Sequence, residues 1–142
     1  STSGSHRWLA EFHAMLARPN IAACLCRTAY EDFTGATVKV ETERPFAVRD
    51  GDRLLVGTID RLVTICDGNQ PIAADVLDFK TDAIADHDQR ALAEKVRFYA
   101  PQLQAYCQAV KKMTRCELRQ ISAKLVSLDA GWVIPIPSSG AG

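Results

Sequence analysis

Three consecutive stretches between residues 38 and 80 have the apolar and polar patterns of strands. Residues 38–41 alternate strictly, and longer runs rich in β-branched residues cover 54–65 and 72–80. Such alternation is typical of strands. Asp50-Gly51 and Asp67-Gly68-Asn69 are turn signals between the runs, and Pro45 restricts the first strand to an edge or a bulge. The pattern predicts an antiparallel meander of three strands.

Helical spacing of apolar residues replaces this alternation elsewhere. Residues 6–25 have a helical pattern that Pro19-Asn20 divides into two short helices. Residues 90–113 have a second pattern, in which Pro101 either kinks the helix or follows a turn, with a new helix beginning near Ala100. One apolar stripe is formed by Leu92, Val96, Leu103, Cys107 and Val110.

Two further short strands are predicted at 121–128 and 132–136, joined by a turn at Ala130-Gly131. A helix between the third and fourth strands indicates a crossover connection. We therefore predict one α/β domain with a mixed β-sheet flanked by helices. Its expected parts are an N-terminal helical part (1–35), a core (36–136) and a disordered tail (137–142).

Composition adds few constraints to this fold. The 142 residues are 47% hydrophobic and 24% charged, as in ordinary globular domains. Lysine plus arginine equals aspartate plus glutamate at 17 each, so any nucleic-acid site must be a local patch. No apolar run approaches the roughly 20 residues of a membrane span, and no signal peptide is visible. Five scattered cysteines without a C-x-x-C pair favour reduced, buried thiols in a cytoplasmic protein.

Three charged residues in the predicted meander could perform chemistry together. Asp78 and Lys80 must project from the same face of a strand, with Phe79 on the other face. If the second and third strands pair, Asp60 can converge with Asp78, and two close carboxylates repel each other unless a cation lies between them. Oxygen ligands of this kind suit Mg²⁺ or Mn²⁺, and Lys80 could act on the attacking water or on phosphoryl oxygens. The simpler alternative is an ion pair at the end of a strand.

The predicted long helix offers a further pair of polar residues. Gln102 and Tyr106 lie one turn apart on the same face. They could be ordinary residues at the border of the helix. Alternatively they could line a groove beside Asp78, where Gln102 orients a phosphate or Lys80 and Tyr106 contacts a nucleic-acid strand.

These stretches together resemble the PD-(D/E)xK nuclease superfamily. The resemblance rests on the segments GTIDRL at 57–62, VLDFKTD at 76–82 and YAPQLQAY at 99–106. It is closest to the RecB-like branch, the nuclease domain at the C-terminus of UvrD-type helicase–nucleases such as RecB and AddA. It also takes in the ERPF segment at 43–46, and it covers roughly residues 38–134.

The resemblance implies a restriction-endonuclease-like core and Mg²⁺- or Mn²⁺-dependent DNA cleavage. Asp60, Asp78 and the backbone carbonyl of Phe79 would be metal ligands, and Lys80 would be the catalytic lysine. The DNA-binding or supporting residues would be Gln102, Tyr106, Thr81 and Glu43. The resemblance further implies an exonuclease in double-strand break repair and recombination, joined to helicase domains of the same chain and to a RecC- or AddB-like partner subunit.

One family feature has no clear counterpart here. The RecB-like branch carries a metal-binding histidine on an early helix, and His13 is the best candidate, although its helix matches the segment after that one. We therefore expect the chain to be a fragment of a larger protein that cleaves weakly alone. Two other hypotheses stay open, namely a non-catalytic DNA-binding or scaffolding module of the same fold, and a small-molecule enzyme or other α/β domain with structural acidic residues.

Overall fold

The computed structural model describes residues 35–81, 88–128 and 131–138. Within these residues the elements are strands β1 (Thr37–Asp50), β2 (Arg53–Asp67) and β3 (Gln70–Lys80), helix α1 (Gln89–Thr114), a 3₁₀ turn (Leu118–Gln120), and strands β4 (Ile121–Ser127) and β5 (Val133–Ile136). The predicted helices in the first 34 residues, His13, Cys24 and Cys26 lie outside the described residues.

The five strands form one mixed sheet in the order β1-β2-β3-β4-β5. β1, β2 and β3 are antiparallel neighbours, which confirms the predicted meander. β4 lies parallel to β3 after the crossover through α1, and β5 returns antiparallel to β4. The mixed α/β sheet with its crossover helix therefore agrees with the predicted fold class.

Two-residue loops close both hairpins of the meander. Asp50 pairs with Arg53 and Asp67 with Gln70, and the first loop residue in each case is a glycine with positive φ, 63° at Gly51 and 62° at Gly68. A positive φ is strained for residues with a side chain, so glycine suits these turns. β1 continues through Pro45 to Asp50, and it is the edge strand that the proline requires.

Helix α1 packs against one face of the sheet. Leu103, Cys107 and Val110 are fully buried there against Val76 and Leu125. This contact confirms the C-terminal part of the predicted apolar stripe, and Leu92 and Val96 extend it as partly buried residues. A smaller cluster of Val63, Leu77 and Val126 lies on the opposite face of the strands.

A single helix runs through Pro101, so the predicted alternative of a new helix near Ala100 is wrong. The side chain of Asp88 caps its start by accepting a hydrogen bond from the Ala91 amide at 3.1 Å. Pro101 has no N–H to donate to the carbonyl of Arg97, but both residues are exposed, so water can solvate that carbonyl. No helix among the described residues is long and apolar enough to cross a membrane.

Two remaining predictions concern the cysteines and the tail. Cys66, Cys107 and Cys116 are free thiols, the last two buried, as expected for reduced core residues. Burial raises the pKa of Cys107 to about 12, so this thiol stays protonated. In the tail, the hydroxyl of Ser138 donates to the carbonyl of Leu118 at 3.0 Å, and residues 139–142 lie outside the described part.

Candidate active site

The candidate site lies where the pairing between β2 and β3 stops. Their last paired residues are Arg61 and Leu77, and the next in line are Asp60 and Asp78. Here the backbone amide of Phe79 donates to Oδ2 of Asp60 at 2.8 Å. The Asp60 carboxylate therefore takes the place of a β2 carbonyl, and it connects the two strands through a side chain.

A β-bulge in β3 aligns the two carboxylates. Ile65 pairs with Ala73 and Cys66 with Pro71, which leaves Ile72 as an extra residue in β3. Without it, the turn at Gly68 would bring Asp60 level with Leu77, whose side chain lies on the opposite face from that of Asp78. Because side chains alternate along a strand, this one-residue shift decides whether the two carboxylates can meet.

A second irregularity lies at Asp60 itself. Ile59 and Leu62 both pack in the core against α1, although a regular strand would direct residues three apart to opposite faces. Glu43 lies across from Asp60 in β1 with φ of 50°, and these two form the one missing pair in an otherwise continuous register from Thr37 to Asp50. The local twist turns Asp60 out of the β1–β2 ladder towards β3.

Lys80 completes this group of charges. Its Nζ lies 3.0 Å from Oδ2 of Asp78, and both side chains are largely buried. Val76 on the same strand packs in the core against α1, so alternation directs Asp78 and Lys80 to the helix side of the sheet. Apart from this ion pair, Oδ2 of Asp78 is buried without a hydrogen-bond partner among the described residues.

Burial and charge act in opposite directions on Asp78. Burial, together with the Asp60 carboxyl within hydrogen-bond reach, raises the pKa of the Asp78 carboxyl from 3.8 to about 6 against the opposing effect of the Lys80 ammonium. The Asp78 carboxylate is therefore costly to ionise in the protein alone. A cation beside both carboxylates would remove that cost.

The helix supplies the predicted polar pair. Nε2 of Gln102 donates to the hydroxyl oxygen of Tyr106 at 2.9 Å. Burial raises the pKa of Tyr106, and the negative charges of Asp78 and then Asp60 act in the same direction. Gln102 and Tyr106 thus form part of the helix wall of the site.

Gly57 provides the space that Tyr106 occupies. The rings of Phe46 and Tyr106 meet edge to face with centroids 5.4 Å apart. A Cβ at position 57 would lie 2.9 Å from Cζ of Phe46 and 3.1 Å from Cε1 of Tyr106. A side chain there would push the rings apart, so the glycine of the GTIDRL segment has a packing role.

The strand geometry also orients the carbonyl of Phe79. The amide of Leu128 donates to the carbonyl of Lys80 at 2.9 Å, so the Lys80 carbonyl points towards β4. Successive carbonyls along a strand point to opposite sides, and that of Phe79 therefore points towards β2, as its amide does. This is the side on which Asp60 lies.

The other predicted residues occupy more peripheral positions. Thr81 is exposed just after the end of β3. Glu43 is also exposed, and its backbone rather than its side chain shapes the strand opposite Asp60.

Sequence reasoning missed two features. The ring of Tyr99 lies beneath Lys80, with Nζ 4.0 Å from its centroid. The helical spacing of Tyr99, Gln102 and Tyr106 on one face could have indicated this contact. A second Asp–Lys pair joins Asp75 to Lys124, and no motif marks it. Asp75 lies three residues before Asp78 on β3, so its side chain projects from the opposite face of the sheet.

The residues present fit a divalent cation of the Mg²⁺ type. Two carboxylates and a carbonyl form an all-oxygen donor set, and buried Oδ2 of Asp78 has an unused lone pair. Among the described residues no group of three or more His, Cys, Asp or Glu side chains surrounds a common point. Waters and the Phe79 carbonyl would therefore have to complete the coordination, together with any ligand from outside those residues.

Comparison with known families shows to which superfamily the chain belongs. Residues 3–135 match the family model described as the PD-(D/E)XK nuclease superfamily, which is nearly the whole chain. The chain belongs to the PD-(D/E)XK nuclease superfamily. No curated protein matches it significantly. Membership of this superfamily supports hydrolysis of nucleic-acid phosphodiester bonds, and the mixed sheet with its crossover helix agrees with the restriction-endonuclease-like core of such nucleases.

Proposed function

We propose that the chain is a metal-dependent nuclease that hydrolyses DNA phosphodiester bonds at Asp60, Asp78 and Lys80. The observation that carries this proposal is the convergence of these three side chains at the end of the β2–β3 ladder. The match to a nuclease superfamily supports it from an independent direction.

Each group has a distinct role in this proposal. Asp60, Asp78 and the Phe79 carbonyl bind Mg²⁺ or Mn²⁺, which when bound polarises the scissile phosphate. Lys80, whose Nζ lies 3.0 Å from Oδ2 of Asp78, acts through its charge by stabilising negative oxygens as the phosphodiester is attacked. Gln102 orients the Tyr106 hydroxyl group, and the pair contacts the DNA strand beside the scissile bond.

The resemblance to RecB and AddA supports a more specific biological role. In that role the chain is the exonuclease domain of a cytoplasmic ATP-dependent helicase–nuclease in double-strand break repair and recombination. Helicase domains of the same full-length protein, and a RecC- or AddB-like subunit, would deliver the DNA. Processive ATP-dependent degradation by the full-length protein, absent from this chain alone, would test that role.

The second Asp–Lys pair offers a matched control for the catalytic role of Lys80. Lys80→Gln and Lys124→Gln each remove one ammonium from a buried aspartate on β3. We expect Lys80→Gln to lower the rate of Mg²⁺- or Mn²⁺-dependent cleavage of end-labelled DNA by about 10²–10³, the usual effect of losing one transition-state charge contact. Lys124→Gln should cleave within about threefold of the wild type. Equal rates for Lys80→Gln and the wild type would rule out the catalytic role.

A non-catalytic DNA-binding module is the second candidate. The observation that favours it is the absence of a cluster of three metal-ligating side chains within the described residues. DNA binding that is retained in EDTA, with no Mn²⁺ binding and no cleavage, would support this module over the nuclease.

A further inference from the structure

Lys80 contacts an aromatic ring as well as a carboxylate. Its Nζ lies 4.0 Å from the centroid of Tyr99 and 3.0 Å from Oδ2 of Asp78, and 19% of its side chain is exposed. We propose that Tyr99 is a positioning residue that fixes the Lys80 ammonium through the face of its ring. This inference rests on the proposed nuclease function and assigns a new residue to that site.

The uncharged ring of Tyr99 gives the Lys80 ammonium an attraction that stays constant when the charge of Asp78 changes. A carboxylate that also binds a divalent cation shares its negative charge, so its attraction for the ammonium weakens when the site is occupied. The electrostatic attraction of a ring face does not depend on the state of Asp78. A lysine side chain has several rotatable bonds, and a second fixed contact narrows the positions that its ammonium can take.

The helix places Tyr99 for this contact. Tyr99 lies three residues before Gln102, so both project from the side of α1 that faces the site. Lys95, one turn earlier, is also near the ring, but its Nζ is 5.9 Å from the centroid. Lys80 thus lies closer to the ring than Lys95 does, and it comes from the strand that carries Asp78.

Fluorination of the ring tests this contact without changing its shape. A series of phenylalanine, monofluoro-, difluoro- and trifluorophenylalanine at position 99 weakens the negative face of the ring stepwise. We expect kcat for DNA cleavage to fall progressively, by about 5- to 30-fold over the series, with KM within about twofold. Phenylalanine itself should rescue the activity that Tyr99→Leu loses.

Phe98 provides a matched control on the same helix. It is 73% exposed, and its ring lies nearly perpendicular to that of Tyr99 with centroids 4.9 Å apart. Trifluorophenylalanine at position 98 should leave kcat unchanged. An equal fall at both positions would show a general effect of fluorination and overturn the role of Tyr99.

A nuclear magnetic resonance experiment makes the geometry testable apart from activity. The Hε protons of Lys80 should show an upfield ring-current shift that persists in Tyr99→Phe and disappears in Tyr99→Leu. Absence of that shift in the wild type overturns the contact, as does a flat fluorination series in an active enzyme. A rise in KM alone would instead make Tyr99 a substrate contact, and a wild type that cleaves no DNA would refute the proposed function even with the shift present.

Discussion

Replacing Gly57 by alanine should destabilise the protein by forcing apart two rings. The added Cβ would lie 2.9 Å from Cζ and 3.1 Å from Cε1 of Phe46, and 3.1 Å from Cε1 of Tyr106. Ordinary carbon contacts are about 3.5–4.0 Å, so both rings must move by several tenths of an ångström. Phe46 and Tyr106 are both buried, and neither ring can swing into solvent.

Overpacking of this kind costs about 1–3 kcal/mol. For a chain of 142 residues that corresponds to a melting temperature lower by roughly 3–12 °C. Urea unfolding followed by circular dichroism would measure the loss directly from the midpoint, provided that the slope is unchanged.

A double-mutant cycle identifies the cause of that loss. Phe46→Leu removes the Cζ and Cε1 atoms that the new methyl group meets, although the contact with Tyr106 remains. The two substitutions together should therefore cost less than the sum of their separate effects, with a coupling of about 1–2 kcal/mol. Strictly additive losses would refute the packing explanation for Gly57.

Three further predictions concern Asp78, Glu43 and Asp88. In EDTA the folded protein binds a proton at Asp78 more tightly than the unfolded chain does, with a pKa of about 6 against 3.8. The contribution of Asp78 to the free energy of unfolding should therefore fall as pH rises from about 4 to about 6. Asp78→Asn should remove that decline, which the midpoints of urea unfolding would measure. Glu43 has φ of 50°, so Glu43→Gly should stabilise the protein by about 1 kcal/mol and Glu43→Val should destabilise it. Thermal midpoints of both variants equal to that of the wild type would contradict strain at this residue. Asp88→Ala removes the cap of α1 and should cost about 1 kcal/mol in urea unfolding, whereas Asp88→Ser should recover most of the loss.

The sequence predicted the strands because their alternation and turns are local properties. The shared face of Asp78 and Lys80 could also be predicted, because side chains two residues apart on one strand project to the same side. The helix from 90 to 113 was likewise visible in its apolar stripe, and Pro101 was misleading because its lost hydrogen bond falls on the exposed side of α1.

The alignment of Asp60 with Asp78 could not be predicted in this way. Counting back from the turn at Gly68 places Asp60 opposite Leu77. Pro71 beside the bulge is compatible with either the start of a strand or a bulge, so it does not by itself specify the extra residue at Ile72 that corrects the register. The positive φ at Glu43 is equally hidden, because a non-glycine residue adopts it through its surroundings. Contacts between distant segments, such as Lys80 with Tyr99, depend on how the helix crosses the sheet.

The central claim is that Asp60 and Asp78 bind one divalent cation together. Titration of Mn²⁺ into the purified chain, followed by electron paramagnetic resonance of the free ion, tests it most directly. The account predicts one bound Mn²⁺ per chain, with affinity reduced at least tenfold in Asp60→Asn and in Asp78→Asn but unchanged in Asp67→Asn, an exposed aspartate at the end of β2. Wild-type affinity in either of the first two variants would contradict the account.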